Sequence, residues 1–139
     1  MTVKDDLYRQ EILEHYRHPQ NYGRFKRPTF QSYKINPLCG DEIDLQLRLD
    51  SRNQILDARF AGSGCALSIA SASLLTEWLK GKDLSRAKKL NSGKALKFLG
   101  AEIGPARHKC ALLAFDVLQQ ILKSYGDKRT SPKKITRRR

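Results

Sequence analysis

Four side chains that can bind a soft metal ion are spread along the chain: Cys39, Asp41, Cys65 and Cys110. The 139 residues include three cysteines, and each lies in a separate segment at or near a turn or a helix start. Zinc takes four ligands of the cysteine, histidine or aspartate type, and iron–sulfur clusters are bound by thiolates. Three cysteines and one aspartate therefore predict a metal or sulfur site assembled from the whole chain.

The segment 36–41, Asn-Pro-Leu-Cys-Gly-Asp, places a thiol and a carboxylate on either side of a glycine. Residues i and i+2 of an extended segment point to the same side, so Cys39 and Asp41 can reach one centre. Gly40 permits a tight turn and leaves space for a bound ion. A carboxylate among thiolates would be the more exchangeable ligand, which favours transfer over storage. The alternative is a buried cysteine beside a turn aspartate.

The other two cysteines lie in settings that favour a thiolate. Cys65 follows the segment 62–64, Gly-Ser-Gly, where the strand pattern ends and a helical pattern begins. Backbone N–H groups and the helix dipole stabilise negative charge at such a helix start. Cys110 lies beside Arg107 and Lys109, whose cations we expect to stabilise its thiolate. The alternative for both is a small cysteine packed in the core.

Alternating hydrophobic residues predict the strands that position Cys39 and Asp41. Alternation over 43–50 and again over 56–60, the latter beginning with an inward-facing Leu56, indicates two half-buried strands. Residues 51–54 form the expected hairpin turn between them. A strand around 33–35 completes a predicted three-stranded antiparallel sheet.

Helical periodicity dominates the rest of the chain. One helix is predicted over 3–17, ended by Pro19, and another from about residue 65 to Gly81. Two short helices and a last long helix that begins at Pro105 follow. Strands before helices predict an α+β fold with helices packed on one face of the sheet. The buried stripes expected on the two long C-terminal helices are Leu67, Ala70, Leu74, Leu75 and Trp78, then Leu112, Phe115, Leu118, Ile121 and Leu122.

The charge of the chain is strongly positive, with a formal net charge of +13. Seven of the cations lie in residues 126–139, which we expect to be a disordered basic tail after a domain over 1–125. No nucleic-acid motif or aromatic platform is visible, so a specific nucleic-acid partner is not predicted. No signal peptide or membrane span is visible either, and an odd cysteine count suits a cytoplasmic protein.

The chain resembles the iron–sulfur cluster assembly scaffold family of the IscU and SufU type, also found as the N-terminal domain of NifU. The similarity runs from about residue 7 to residue 123. The segments that carry it are 7–10, 15–16, 19–21, 36–41, 62–65, 68–73, 76–77 and 107–111. The resemblance implies an α+β scaffold in which Cys39, Asp41, Cys65 and Cys110 match the ligand positions for zinc, iron or a [2Fe–2S] cluster.

The resemblance also implies partners and a sulfur-transfer role. The partners are a cysteine desulfurase, which supplies sulfur, and apo iron–sulfur proteins, which accept it. Cys110 and Cys65 are the candidate sulfur acceptors, in either a non-enzymatic scaffold or a zinc-dependent sulfurtransferase. The alternative function is a structural zinc domain whose basic tail binds RNA.

Two details separate this chain from the IscU pattern. Lys109 stands where IscU-type members have a histidine, and His108 is offset so that a helix would point it away from the site. Arg107, Lys109 and Cys110 instead resemble the SufU branch, whose zinc-bound members accept persulfide sulfur. Residues 81–104, however, lack the insertion typical of that branch. Segment 103–107 only faintly echoes the IscU chaperone-recognition motif, so a dedicated Hsp70 partner is not predicted.

Overall fold

The computed structural model of the chain describes residues 3–100 and 103–128. Three antiparallel strands form one sheet in the order β1-β2-β3: β1 (Phe30–Ile35), β2 (Glu42–Leu49) and β3 (Ile55–Ser63). Helices pack on this sheet, so the predicted α+β fold is confirmed. None of the described helices is long and apolar enough to cross a bilayer.

The helical elements follow the chain order that the sequence predicts, with one division near the C-terminal end. They are α1 (Val3–Arg17), α2 (Ala66–Leu79), α3 (Leu84–Lys88), α4 (Ser92–Lys97), a 3-10 turn (Pro105–Arg107), α5 (His108–Ala111) and α6 (Leu113–Lys128). Because α6 continues to Lys128, the first residues of the predicted tail are helical. The rest of that tail, 129–139, lies outside the described residues.

The core lies between the sheet and the helices. Ile43, Leu45 and Leu47 of β2 are fully buried against α2 and α6. On β3, Ala58 and Phe60 point into the same core, but Leu56 is 57 % exposed and Ile55 is buried in its place. The expected inward position of Leu56 is wrong because the pairing of β2 with β3 shifts between Arg48 and Leu49.

The single helix predicted from Pro105 is also wrong. A 3-10 turn and the short helix α5 come first, and Leu112 then leaves the helical region with φ −104° and ψ 3° before α6 begins. Ser71 of α2 donates a hydrogen bond of 2.6 Å to the carbonyl of Ala111 at this break. The break also shifts the buried stripe, so Leu113 and Val117 are buried where Leu112 and Phe115 were expected.

Helix α2 lies between the sheet and α1. This position explains why its serines and threonine are buried together with its apolar residues. The Ser73 hydroxyl lies 2.7 Å from His15 Nδ1 of α1 and also accepts the backbone N–H of Gln20. His15 is therefore a hydrogen-bonded structural histidine, whereas His18 is exposed.

The face of the sheet opposite the helices is covered in part by the loop after α1. Asn21 and Gly23 form backbone hydrogen bonds with Phe60 along the outer edge of β3. The loop then crosses the sheet, where the N–H of Phe25 donates 2.7 Å to the side chain of Gln46. The loop thus forms hydrogen bonds at the outer edge of β3 and covers part of the outer face of the sheet.

We predict that Gly62→Ala destabilises the protein far more than Gly81→Ala. Both glycines have positive φ, but a Cβ at Gly62 would lie 2.1 Å from the Glu42 carbonyl oxygen, whereas one at Gly81 meets nothing within 4 Å. Left-handed strain alone costs about 1–2 kcal/mol, and a backbone clash adds about 1–3 kcal/mol. Chemical denaturation would measure both variants, and equal losses would contradict this account of Gly62.

Candidate metal centre

Three of the four predicted site residues meet at one end of the sheet. Cys39 and Asp41 lie in the loop between β1 and β2, and Cys110 lies in α5. The Sγ atoms of the two cysteines and a carboxylate oxygen of Asp41 all lie within 4.8 Å of one another. Residues that are far apart in sequence are therefore brought within metal-ligand reach.

The loop that carries Cys39 and Asp41 is held by Asn36. The backbone carbonyl of Asn36 accepts the N–H of Gly40 at 2.7 Å, and its N–H donates 2.7 Å to the carbonyl of Asp41. Its side chain also accepts the N–H of Leu38 at 3.1 Å. Gly40 has φ +80°, the tight turn that the sequence predicts. The buried Asn36 was not singled out from the sequence, although Asn before Pro is a turn signal.

The carboxylate of Asp41 is almost completely buried and is fixed by donors from the start of α2. Ser68 Oγ donates 2.6 Å to Asp41 Oδ2, and the backbone N–H of Cys65 donates 3.3 Å to the same oxygen. Burial alone would raise the pKa of Asp41, but these hydrogen bonds more than compensate and hold the pKa below its ordinary value. A preformed carboxylate therefore faces the two thiols.

Gly64 makes this approach of Asp41 to α2 possible. A Cβ at position 64 would lie 2.8 Å from Asp41 Cγ, closer than side-chain atoms normally come. The glycine-rich segment before Cys65 was expected to allow a close approach to a ligand. The structure shows that Gly64 allows a close approach to the Asp41 side chain.

Cys65 lies beside the trio rather than within it. Its backbone precedes the first residue of α2, as predicted, and its thiol is exposed. Its Sγ lies 3.7 Å from Ser68 Oγ, the hydroxyl that also holds Asp41. Cys65 is thus adjacent to the other three residues, and its thiol remains open to solvent.

Cys110 is partly buried, and its environment differs from the one expected. Burial, with Cys65 and Cys39 as neighbours, raises the pKa of the Cys110 thiol to about 12. The expectation that Arg107 and Lys109 stabilise the Cys110 thiolate is therefore wrong, because neither cation is among the main causes of this pKa shift. Both cations are exposed, and Lys109 lines a separate pocket of about 180 Å³ together with Lys34 and Asp116.

His108 is not part of the converging group of possible ligands among the described residues, as its offset in the sequence suggests. Its Nε2 lies 2.9 Å from the carbonyl oxygen of Ile103.

Ser68 was not recognised from the sequence as a part of the site. Its position one helical turn after Cys65 is the signal that could have indicated it, because residues three apart share a helix face.

Comparisons with known proteins agree with this architecture. The model of the NifU-like N terminal domain matches residues 7–132. The chain belongs to this family. It is 37 % identical to the iron-sulfur cluster assembly enzyme IscU of Drosophila melanogaster, with 89 % of this chain and 81 % of the relative aligned. The scaffold protein IscU of Escherichia coli K12 is 35 % identical over 88 % of this chain and 96 % of its own length.

Two solved structures of the family have the same fold. The N-terminal part of a NifU-like protein from Brucella abortus superposes with a TM-score of 0.72, at 23 % identity, over 91 % of this chain and 99 % of its own. A putative SufU-type scaffold from Fervidobacterium islandicum has a TM-score of 0.67 at 26 % identity, over 81 % of this chain and 94 % of its own. The family resemblance is thus confirmed, whereas the SufU-specific motif stays a prediction.

We predict that Ser68→Ala destabilises the metal-free protein at neutral pH by about 1–3 kcal/mol, and that this loss shrinks in acid. The pKa of Asp41 is lowered in the folded state, so ionised Asp41 stabilises the fold above its unfolded pKa. That stabilisation disappears as the pH falls through the folded pKa. The free energy of unfolding that Ser68→Ala loses is therefore largest when Asp41 is ionised. Urea denaturation of wild type and variant at several pH values would measure this difference.

Ser71→Ala is the matched control for this measurement. Ser71 is a buried serine of the same helix whose hydroxyl donates to the Ala111 carbonyl and not to a titrating group. The free energy of unfolding that Ser71→Ala loses is expected to change little with pH. If the two variants showed the same pH dependence, the role of Ser68 at the Asp41 carboxylate would be refuted.

Proposed function

We propose that the chain is an iron–sulfur cluster assembly scaffold that accepts sulfur from a cysteine desulfurase. In this proposal Cys39, Asp41, Cys65 and Cys110 hold Zn2+ or a transient [2Fe–2S] cluster. The observation that carries the proposal is the convergence of two thiols and one carboxylate within 4.8 Å in a chain of this family. The names of its IscU relatives, which refer to cluster assembly, support the same role.

The donor set suits zinc and iron. Ligands of a tetrahedral zinc ion lie about 3–4 Å from one another, so three ligand atoms within 4.8 Å need only small side-chain rotations. Cys65, the exposed neighbour, would complete a set of three sulfurs and one oxygen. A bound metal ion would supply the positive charge that keeps thiolates deprotonated, which the protein alone does not provide for Cys110.

Sulfur acceptance requires a thiolate that a partner can reach. The thiolate attacks the outer sulfur of a persulfide on the desulfurase, a new S–S bond forms, and the desulfurase cysteine leaves as a thiolate. Cys65 and Cys110 are the proposed acceptors. Cys65 is exposed at a helix start, whereas Cys110 is partly buried with a raised pKa and would serve as an acceptor only where a bound metal ion keeps its thiolate deprotonated. A two-electron reductant supplied by another protein would reduce the persulfide, which would regenerate the thiolate and release sulfide. The sulfide would then pass, with iron, to apo iron–sulfur proteins.

The surface around the site is open enough for such protein partners. Leu38, the residue before Cys39, is 80 % exposed, and Ile35 at the end of β1 is 47 % exposed. Exposed apolar side chains beside a reactive centre are typical of a protein-binding surface. This arrangement favours transfer of sulfur between proteins. We propose that the transfer takes place in the cytoplasm.

Single substitutions test this proposal directly. We expect Cys39→Ser, Cys65→Ser, Cys110→Ser and Asp41→Asn each to lower bound zinc or iron, because each removes one of four ligands. Incubation with a cysteine desulfurase and cysteine, followed by mass spectrometry, should show the added sulfur on wild type. Loss of that sulfur in only one of Cys65→Ser and Cys110→Ser would identify the acceptor.

Glu14→Gln is the control for the carboxylate substitution, since Glu14 is an exposed residue of α1. Its metal content should equal that of wild type. Unchanged metal content and unchanged sulfur acceptance in both Cys39→Ser and Cys65→Ser would refute the shared site. A colourless protein that contains one zinc ion would favour the zinc-bound state. A brown protein that contains sulfide would favour the cluster-bound state.

A further inference from the structure

A second polar feature lies on the face of the sheet opposite the helices. It is a cleft of about 700 Å³, open to solvent, between the loop after α1 and the outer side of β2 and β3. We call it the basic cleft, and its lining residues are Arg24, Phe25, Lys26, Arg27, Arg48 and Arg59. Five of these six residues are cations and none is acidic. The concentration of positive charge is therefore local and does not depend on the C-terminal tail.

The guanidinium groups of the cleft are held in place around one aromatic ring. The Arg59 guanidinium lies 4.5 Å from the centre of the Phe25 ring, and that of Arg48 lies 5.7 Å from it. Arg59 Nη1 also donates 3.3 Å to the carbonyl of Arg24. Phe25 is itself fixed by its backbone hydrogen bond to Gln46. Arg48 and Arg59 are thus positioned before any ligand binds, which lowers the entropy cost of binding.

Nearby carboxylates neutralise only part of this charge. Asp44 is buried under the loop and forms an ion pair with Arg24 at 3.3 Å. Asp57 is nearer to Lys80 than to Arg59, at 3.2 Å against 3.9 Å. The side chains of Lys26, Arg27 and Arg48 are exposed. Within the part of the chain that the structure describes, none of the three forms an ion pair. A net positive surface is therefore available to an external anion.

The basic cleft and the candidate metal centre lie on opposite faces of the sheet, because Asp41 is directed to α2 and the cleft lies under the loop after α1. Asp41 directly precedes Glu42 at the first end of β2, whereas Arg48 lies near the other end of that strand. At the usual rise of a strand Arg48 lies about 20 Å along the strand from Asp41, whereas Arg24, which pairs with Asp44, lies about 10 Å along it. A ligand in the cleft would leave the cysteines accessible, so the two surfaces can be occupied at the same time.

We propose that the basic cleft is a docking site for an acidic segment of a partner protein. The planar forks of four arginines match carboxylates in bidentate geometry, and an open cleft suits an extended segment better than a small molecule. Single-stranded nucleic acid fits less well, because Phe25 is the one aromatic residue that lines the cleft and its ring already carries the Arg59 guanidinium at 4.5 Å. A second copy is disfavoured by the net charge of +13.

Binding of a fluorescent oligoglutamate peptide to the full-length protein, followed by anisotropy, tests this proposal. The test variant is Lys26→Gln/Arg27→Gln, which removes two cations without touching the packing on Phe25. We expect its affinity to be about tenfold weaker than that of wild type, and the wild-type affinity to fall with added salt. Metal content should stay at the wild-type level, which separates this test from that of the cysteine site.

Lys94→Gln/Lys97→Gln is the matched control, because it removes the same charge from exposed positions of α4. Its affinity for the peptide should equal that of wild type. Equal weakening in both double variants would show that only net charge matters and would overturn the proposal. A mixed-sequence single-stranded RNA is the competing probe, and a larger cleft-dependent loss for RNA than for the peptide would assign the cleft to nucleic acid instead.

Discussion

The hydrogen bond from Ser68 to the buried carboxylate of Asp41 connects all parts of the candidate site. Asp41 comes from the loop between β1 and β2, and Ser68 from the first turn of α2. The same hydroxyl lies 3.2 Å from the backbone carbonyl of Cys110 and 3.7 Å from Cys65 Sγ. One buried serine therefore sets the relative positions of the loop, the helix start and α5.

The two ends of the sheet have opposite chemical characters. One end brings together thiols and a carboxylate, which select soft metals and sulfur chemistry. The outer face toward the other end gathers cations around Phe25. Because these regions lie on opposite faces of the sheet, a partner held at one would not block chemistry at the other. This separation suits a protein that has to meet several partners in turn.

The sequence predicted the features that depend on neighbouring residues. The turn at Gly40, the start of α2 at Cys65 and the alternating core of β2 all follow from local spacing. It did not predict the break at Leu112, because leucine is a good helix former and the break coincides with a contact from Ser71, far away in the chain.

The electrostatics of the site depended on the same kind of distant contact. Arg107 and Lys109 are neighbours of Cys110 in sequence, yet burial and the two other thiols raise its pKa.

The most direct test of the central claim is X-ray absorption spectroscopy of the metal bound to the purified protein. We expect three sulfur ligands and one oxygen ligand at zinc; in a [2Fe–2S] cluster, each iron would have two bridging sulfides and two of the four protein ligands, with the oxygen on one iron only. A nitrogen ligand in place of the oxygen in either state, or fewer than three sulfurs at zinc, would contradict the shared site.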